Sequence, residues 1–191
     1  FSVVIDGTVR NIGVYAFDSC INIESVTFSA ENFTQIGSYA FKGCSGLKSI
    51  VFPSTIARVG ENAFNGCSGL TSAVFPSSSV YLGNYVFAGC TGLTNVVLPQ
   101  FASNTNPAYS VPVGTFSGCA GLTRIKVPDG TQGIGSYAFT NCSNLSSIII
   151  PSSVTSIGSS AFSGCSNLKS VYYNGTAAQW KIISISTENT Y

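Results

Sequence analysis

Apolar and polar positions along the chain follow a text that restarts about every 23 residues. In the copy from Ile36 to Pro53, the apolar positions are Ile36, Ala40, Phe41, Cys44, Leu47, Ile50 and Phe52, with glycines and polar residues between them. Phenylalanines at 17, 41, 64, 87, 116, 139 and 162 each precede by three residues a cysteine at 20, 44, 67, 90, 119, 142 and 165. Three residues beyond the cysteines stand Ile23, Leu47, Leu70, Leu93, Leu122, Leu145 and Leu168, and three further on Val26, Ile50, Ala73, Val96, Ile125, Ile148 and Val171. Two residues later come Phe28, Phe52, Phe75, Leu98, Val127, Ile150 and Tyr173. This L-x-x-I-x-F spacing is that of a short strand with one side turned inward. The cysteine intervals of 24, 23, 23, 29, 23 and 23 predict a solenoid, in which each unit buries its apolar side only against its neighbours.

Each unit turns at polar residues after its proline, as at Ser152-Ser153, and then places an Ile-Gly pair inward. The glycine recurs at 13, 37, 60, 83, 114, 135 and 158, which points to a close backbone approach or a backbone angle that a side chain opposes. A short helical turn is expected across A-F-x-G, closed by the glycine before the cysteine. The period breaks twice. The long interval carries a surplus within about 100–112, a polar stretch that is a loop, either functional or a tolerated surface insertion. After Tyr173, Thr176 and Gln179 have capping-box spacing beside Trp180, predicting a short helix that covers the open end of the last repeat. The expected organisation is one domain over 1–191: a partial repeat at 1–20, repeats to 173 and a cap at 174–191. Phe1 begins inside a repeat and no initiator methionine is present, as expected of a fragment or a processed form.

The A-F-x-G-C-x-x-L block, intact from Ala40 to Leu47, Ala63 to Leu70 and Ala161 to Leu168, and the prolines at 53, 76, 99, 128 and 151 resemble a leucine-rich repeat. Within that class the chain resembles the BspA-like repeats of bacterial cell-surface proteins, over nearly its whole length. The closing run Tyr172-Tyr173-Asn174-Gly175-Thr176 through Trp180 resembles the end of such arrays. Ser29, Asn141, Val86 and Thr115 depart from the pattern without removing a core side chain. The resemblance implies a β-dominated α/β fold: a right-handed solenoid, or horseshoe, with one concave parallel sheet and short helical or 3-10 turns on the convex side. It also implies a secreted or cell-surface adhesion module.

Composition narrows the chemistry. Charged residues make up 8% of the chain and the net charge is +1, which offers no basic field for nucleic acid. Apolar runs of three or four residues are far below the ~20 that a membrane span requires. There is no histidine, so the common hydrolytic triads and Cys-His metal sites lack a member. The acidic residues never fall as a catalytic pair in repeat register, and neither an enzyme nor a cofactor site is expected. Cysteines one repeat apart and odd in number read as small buried hydrophobes, with one or two oxidised pairs the alternative.

What remains is surface. Between core positions the strands present the row Thr27, Val51, Val74, Val97, Lys126, Ile149 and Tyr172, flanked by rows rich in Ser and Thr. Stacked strands hold such rows ~4.8 Å apart. Val51, Val74, Val97, Arg124, Lys126, Ile149 and Tyr172 are therefore the candidate ligand-binding residues, centred on the strand at 122–127, although β propensity alone also accounts for exposed Val and Ile. Tyr15, Tyr39, Tyr85 and Tyr137 form a rival column on the opposite side. The expected molecule is a monomer that recognises a protein or glycan on host or neighbouring cells, or else a spacer with no ligand of its own.

Overall fold

A computed structural model describes residues 1–102, 110–186 and 189. The elements in chain order are β1 (Ser2–Ile5), β2 (Asn11–Ile12), β3 (Ser25–Phe28), β4 (Gln35–Ile36), β5 (Ser49–Val51), β6 (Arg58–Val59), β7 (Ser72–Val74), β8 (Ser79–Leu82) and β9 (Asn95–Val97). They continue with β10 (Gln100–Phe101), β11 (Ser110–Val111), β12 (Arg124–Lys126), β13 (Gly133–Ile134), β14 (Ser147–Ile150), β15 (Ser156–Ile157), β16 (Ser170–Tyr173), α1 (Ala177–Lys181) and β17 (Ser184–Ile185). Every strand pairing among the described residues is parallel and joins neighbouring repeats, which makes the molecule a β-solenoid.

Each repeat supplies two strands, where the sequence pattern predicted one. The L-x-x-I strands form one side as β1-β3-β5-β7-β9 and β12-β14-β16. The Ile-Gly segments, expected as inward turns, form a second side as β10-β8-β6-β4-β2 and β11-β13-β15-β17. In two-residue strands such as Gln35–Ile36 and Arg58–Val59 the first residue is exposed or half-buried and the second is buried, so the alternation of a strand is present at its minimum length. Chain after α1 adds β17 to this second side, so the C-terminal segment is a helix followed by one more strand.

The third side consists of turns. The A-F-x-G segments, expected to be helical, are hydrogen-bonded turns instead, and α1 is the one α-helix among the described residues. Two left-handed positions per repeat explain this. The residues two before the phenylalanines, Tyr15, Tyr39, Asn62, Tyr85, Gly114, Tyr137 and Ser160, have φ between 52° and 61°. The residues before the cysteines are left-handed too: Ser19, Gly43, Gly66, Gly89, Gly118, Asn141 and Gly164. A chain that enters the left-handed region twice within five residues cannot propagate a right-handed helix.

Inside the turns the phenylalanine rings stack in one file. Successive centroids from Phe17 to Phe162 are 5.1, 5.3, 5.6, 5.8, 5.5 and 5.4 Å apart, with rings within 14° of parallel. Backbone bonds run between turns alongside them, Phe41 N–H to the Ala63 carbonyl at 2.8 Å and Gly43 N–H to the Asn65 carbonyl at 2.7 Å. The cysteines complete the file. The Cys67 thiol donates to the Phe41 carbonyl at 3.0 Å, Cys90 to Phe64 at 3.1 Å and Cys165 to Phe139 at 3.0 Å, each reaching back one repeat. Cysteine suits the position because it fills space as a hydrophobe while giving a buried carbonyl a weak donor. Cys20 departs from the expected burial: it is exposed, because no preceding repeat among the described residues covers its thiol.

The glycine column is explained by close approach. A Cβ on Gly60 would stand 2.4 Å from the Ser38 nitrogen, and one on Gly83 2.4 Å from that of Glu61. The same glycines donate back to the previous repeat, Gly60 to Ile36 and Gly83 to Val59, both at 2.8 Å. Gly114, assigned to this column from sequence, belongs instead to the left-handed column, where a Cβ would strike the Tyr85 ring. The glycine place of that repeat is held by Pro112, which stands four residues before Phe116 as Gly37 stands four before Phe41. Proline has no N–H to donate and cannot take glycine's close approach. The backward bond made by Gly37, Gly60, Gly83, Gly135 and Gly158 is therefore missing at this repeat, and β11 does not pair with β8.

Candidate functional site

The strand register places the predicted outward row as expected. Val51 lies beside Val74 and Val74 beside Val97, while Lys126 lies beside Ile149 and Ile149 beside Tyr172. Alternation sends the residues between them inward, where Ile50, Ala73, Ile125 and Ile148 are buried. Val51, Val97 and Tyr172 are 64%, 47% and 58% exposed, Arg124 and Lys126 are exposed, and Val74 and Ile149 are half-buried.

The seven residues do not form one strip. β9 and β12 belong to separate sheets, so Val51, Val74 and Val97 stand on one and Arg124, Lys126, Ile149 and Tyr172 on the other. The ladder bond that Thr71 N–H makes to Lys48 O, Thr94 to Thr71 and Ser146 to Thr123 has no counterpart from Thr123 to Thr94. The turns nevertheless stay stacked across this boundary, with Phe87 N–H bonded to the Thr115 carbonyl at 3.0 Å and the Phe87 and Phe116 rings 5.8 Å apart. The repeats thus part on their strand sides and remain joined at their turns. Val96, in a column that is buried at Ile50, Ala73 and Ile148, is only half-buried here.

An open groove of about 860 Å³ lies over this split and the three-stranded sheet, reaching from Asn95 and Val96 across Arg124 and Lys126 to Lys169 and Tyr172. Its margin is polar: Thr94, Thr123 and Ser146 form one row, and Asn95, Arg124, Ser147 and Ser170 the next. Lys126 is 3.6 Å from Asp129, an exposed pair of little energetic weight. Among the described residues Arg124 and Lys169 have no ion-pair partner. Sequence reasoning singled out Arg124 and Lys126 and placed Lys169 in a flanking row without selecting it; its exposure beside Ser146 follows from the same register.

The rival column is partly continuous: the Tyr15 and Tyr39 rings stack at 4.8 Å, and the Tyr85 ring lies over Gly114. The insertion at 100–112 falls mostly outside the described residues. No group of three or more His, Cys, Asp or Glu able to hold a metal occurs among the described residues, and no helix there is long and apolar enough to cross a membrane. Burial raises the thiols of Cys44 and Cys119 to about 12 from an ordinary 9.0, so they are protonated at neutral pH and poor nucleophiles.

Two strands and a left-handed turn per repeat, with a phenylalanine file and a cysteine that reaches back one unit, define a parallel solenoid of leucine-rich repeats. The chain belongs to the family described as "BspA type Leucine rich repeat region (6 copies)", which matches residues 2–109 and 103–187. A leucine rich cell surface protein from Faecalibacterium prausnitzii A2-165 is similar at 25% identity and a TM-score of 0.69, over 100% of this chain and 63% of that one. The chain thus spans less than two thirds of the length of that relative. The leucine-rich repeat protein of T. pallidum is similar at 30% identity and a TM-score of 0.75, over 88% of this chain and 78% of that one. A leucine-rich repeat protein from Bacteroides ovatus ATCC 8483 has 27% identity and a TM-score of 0.56, over 90% and 57%. No curated protein matches the sequence.

Proposed function

We propose that the chain is a non-catalytic recognition module of an exported, cell-surface protein, and that it binds a protein or glycan on host or neighbouring cells through its L-x-x-I side. The observation that carries this reading is that outward residues of successive repeats are held in fixed register along this side, Val51, Val74 and Val97 on one sheet and the groove over β12, β14 and β16 on the other. The surface character of the F. prausnitzii relative supports the location. Free cysteines suit such a protein, since six of the seven are buried.

Replacing Val51, Val74, Val97 and Arg124 together by Ser is expected to abolish capture of the chain on immobilised mucin and host-cell matrix, measured by surface plasmon resonance. All four side chains point outward, so thermal unfolding changes little. Undiminished capture by this variant refutes the assignment of the binding face, and a parent chain that captures neither mucin nor matrix refutes both as partners and favours a spacer.

A further inference from the structure

Cations are unevenly placed on the binding side. Over β12, β14 and β16 the groove collects Arg124, Lys126 and Lys169, and the nearby carboxylate is Asp129, which faces Lys126 at 3.6 Å. The equivalent rows of the five-stranded sheet carry one basic side chain, Lys48, which lies next to Glu24, while their outward row is Val4, Thr27, Val51, Val74 and Val97. Arg124 is aligned with Ser147 and Ser147 with Ser170, so two rungs separate Arg124 from the neighbourhood of Lys169, about 10 Å at ~4.8 Å per strand. The surface between these cations carries hydroxyls, and Tyr172 presents a ring that is 58% exposed.

These features suit a sugar better than a peptide. β14 is hydrogen-bonded on both sides, to β12 and to β16, so the part of the groove between Arg124 and Tyr172 offers an extended peptide no main-chain partners; the unpaired edges of β9 and β12 lie at the other end, away from Lys169 and Tyr172. It offers instead fixed hydroxyl groups that donate to and accept from sugar hydroxyls, an aromatic face for an apolar ring surface, and two cations for an anionic substituent.

Building on the reading that this side binds a ligand, we infer that the groove takes an acidic saccharide: Arg124 and Lys169 hold its sulfate or carboxylate, Ser147 and Ser170 hydrogen-bond its hydroxyls, and Tyr172 packs against a ring. Guanidinium pairs with either anion through two parallel N–H bonds, which makes Arg124 the principal anchor.

The test is biolayer interferometry with the parent chain on immobilised chondroitin sulfate, polysialic acid, neutral dextran and polyglutamate. Binding is expected to one or both acidic glycans and not to dextran; preference between them identifies sulfate or carboxylate as the recognised group. Arg124→Ser with Lys169→Ser is expected to weaken it roughly tenfold or more, the scale of a lost charged hydrogen bond. Binding is also expected to collapse between about 0.1 and 1 M salt, where the screening length falls from about 10 to about 3 Å. Polyglutamate bound as tightly as the glycans overturns the inference in favour of an acidic peptide, and dextran bound equally well overturns the role of charge. If the double variant binds like the parent, or no acidic glycan binds while mucin capture still depends on Val51, Val74 and Val97, the saccharide assignment falls and the wider reading survives. Loss of both removes both.

Discussion

Phe64→Ala tests the internal file at its middle. Phe64 is completely buried, stacked on Phe41 at 5.3 Å and Phe87 at 5.6 Å, and met edge-on by Phe52 at 5.8 Å. Removing a ring walled on three sides leaves a cavity that neighbouring rungs, fixed by their backbone bonds, cannot fill, and the expected cost is about 3–5 kcal/mol. For a chain of this size that lowers Tm by roughly 6–20 °C. Phe17 is the internal control: it is half-buried, with one stacked neighbour, Phe41 at 5.1 Å, and its truncation is expected to cost about half as much. The assay is denaturant unfolding of both variants, followed by far-ultraviolet circular dichroism and by Trp180 fluorescence, with thermal scans alongside. Because repeats contact only their neighbours, loss at the centre should let the repeats before Phe64 unfold ahead of the Trp180 signal and separate the two transitions, while loss at Phe17 should fray only that end and leave the Trp180 transition near that of the parent. A Phe64→Ala chain that melts within about 1 °C of the parent, or that loses no more than Phe17→Ala, refutes the account.

Gly60→Ala is expected to cost about 3 kcal/mol, since its Cβ would press on backbone 2.4 Å away, whereas Gly66→Ala, at φ 74° with its nearest atom 3.7 Å off, should cost about 1 kcal/mol for the left-handed backbone alone. Equal denaturation midpoints contradict the close-approach explanation. A disulfide-exchange reagent at pH 8 should modify Cys20 in the native chain and all seven cysteines once it is denatured; fast native reaction elsewhere contradicts the burial of the file. Cys44 and Cys119 have folded values raised to about 12 from 9.0, so the folded state keeps protons that the unfolded state loses. Their contribution is intact below pH 9 and declines as pH rises towards 12, and Cys44→Ala with Cys119→Ala should flatten that slope in stability measured against pH.

The inward columns were legible because they recur with side chains too large and apolar to sit elsewhere: register read from Ile50, Ala73 and Val96 matches the strand pairing residue for residue. The second side was not, because a strand of two residues such as Arg58–Val59 gives periodicity nothing to repeat. Tyrosine hid the left-handed column, since a large residue at positive φ is not what a turn normally selects. Gly114 misled for the same reason, occupying a tyrosine place within a repeat whose glycine place is Pro112. Of the candidate site, each strand's outward residues could be read locally. The parting of β9 from β12 could not be read from the strands themselves, because the text at 122–127 resembles that of every other repeat; only the long interval from Cys90 to Cys119 marked its place.

From Cys44 onward, the thiol that reaches back to a phenylalanine carbonyl gives each unit the same plug for the socket of the unit before it. A gene segment encoding whole units can therefore be duplicated or deleted, and the flanking units still find a matching partner. Length of the array, and with it the reach of any outward patch, is thus free to vary among descendants without redesign of the interior.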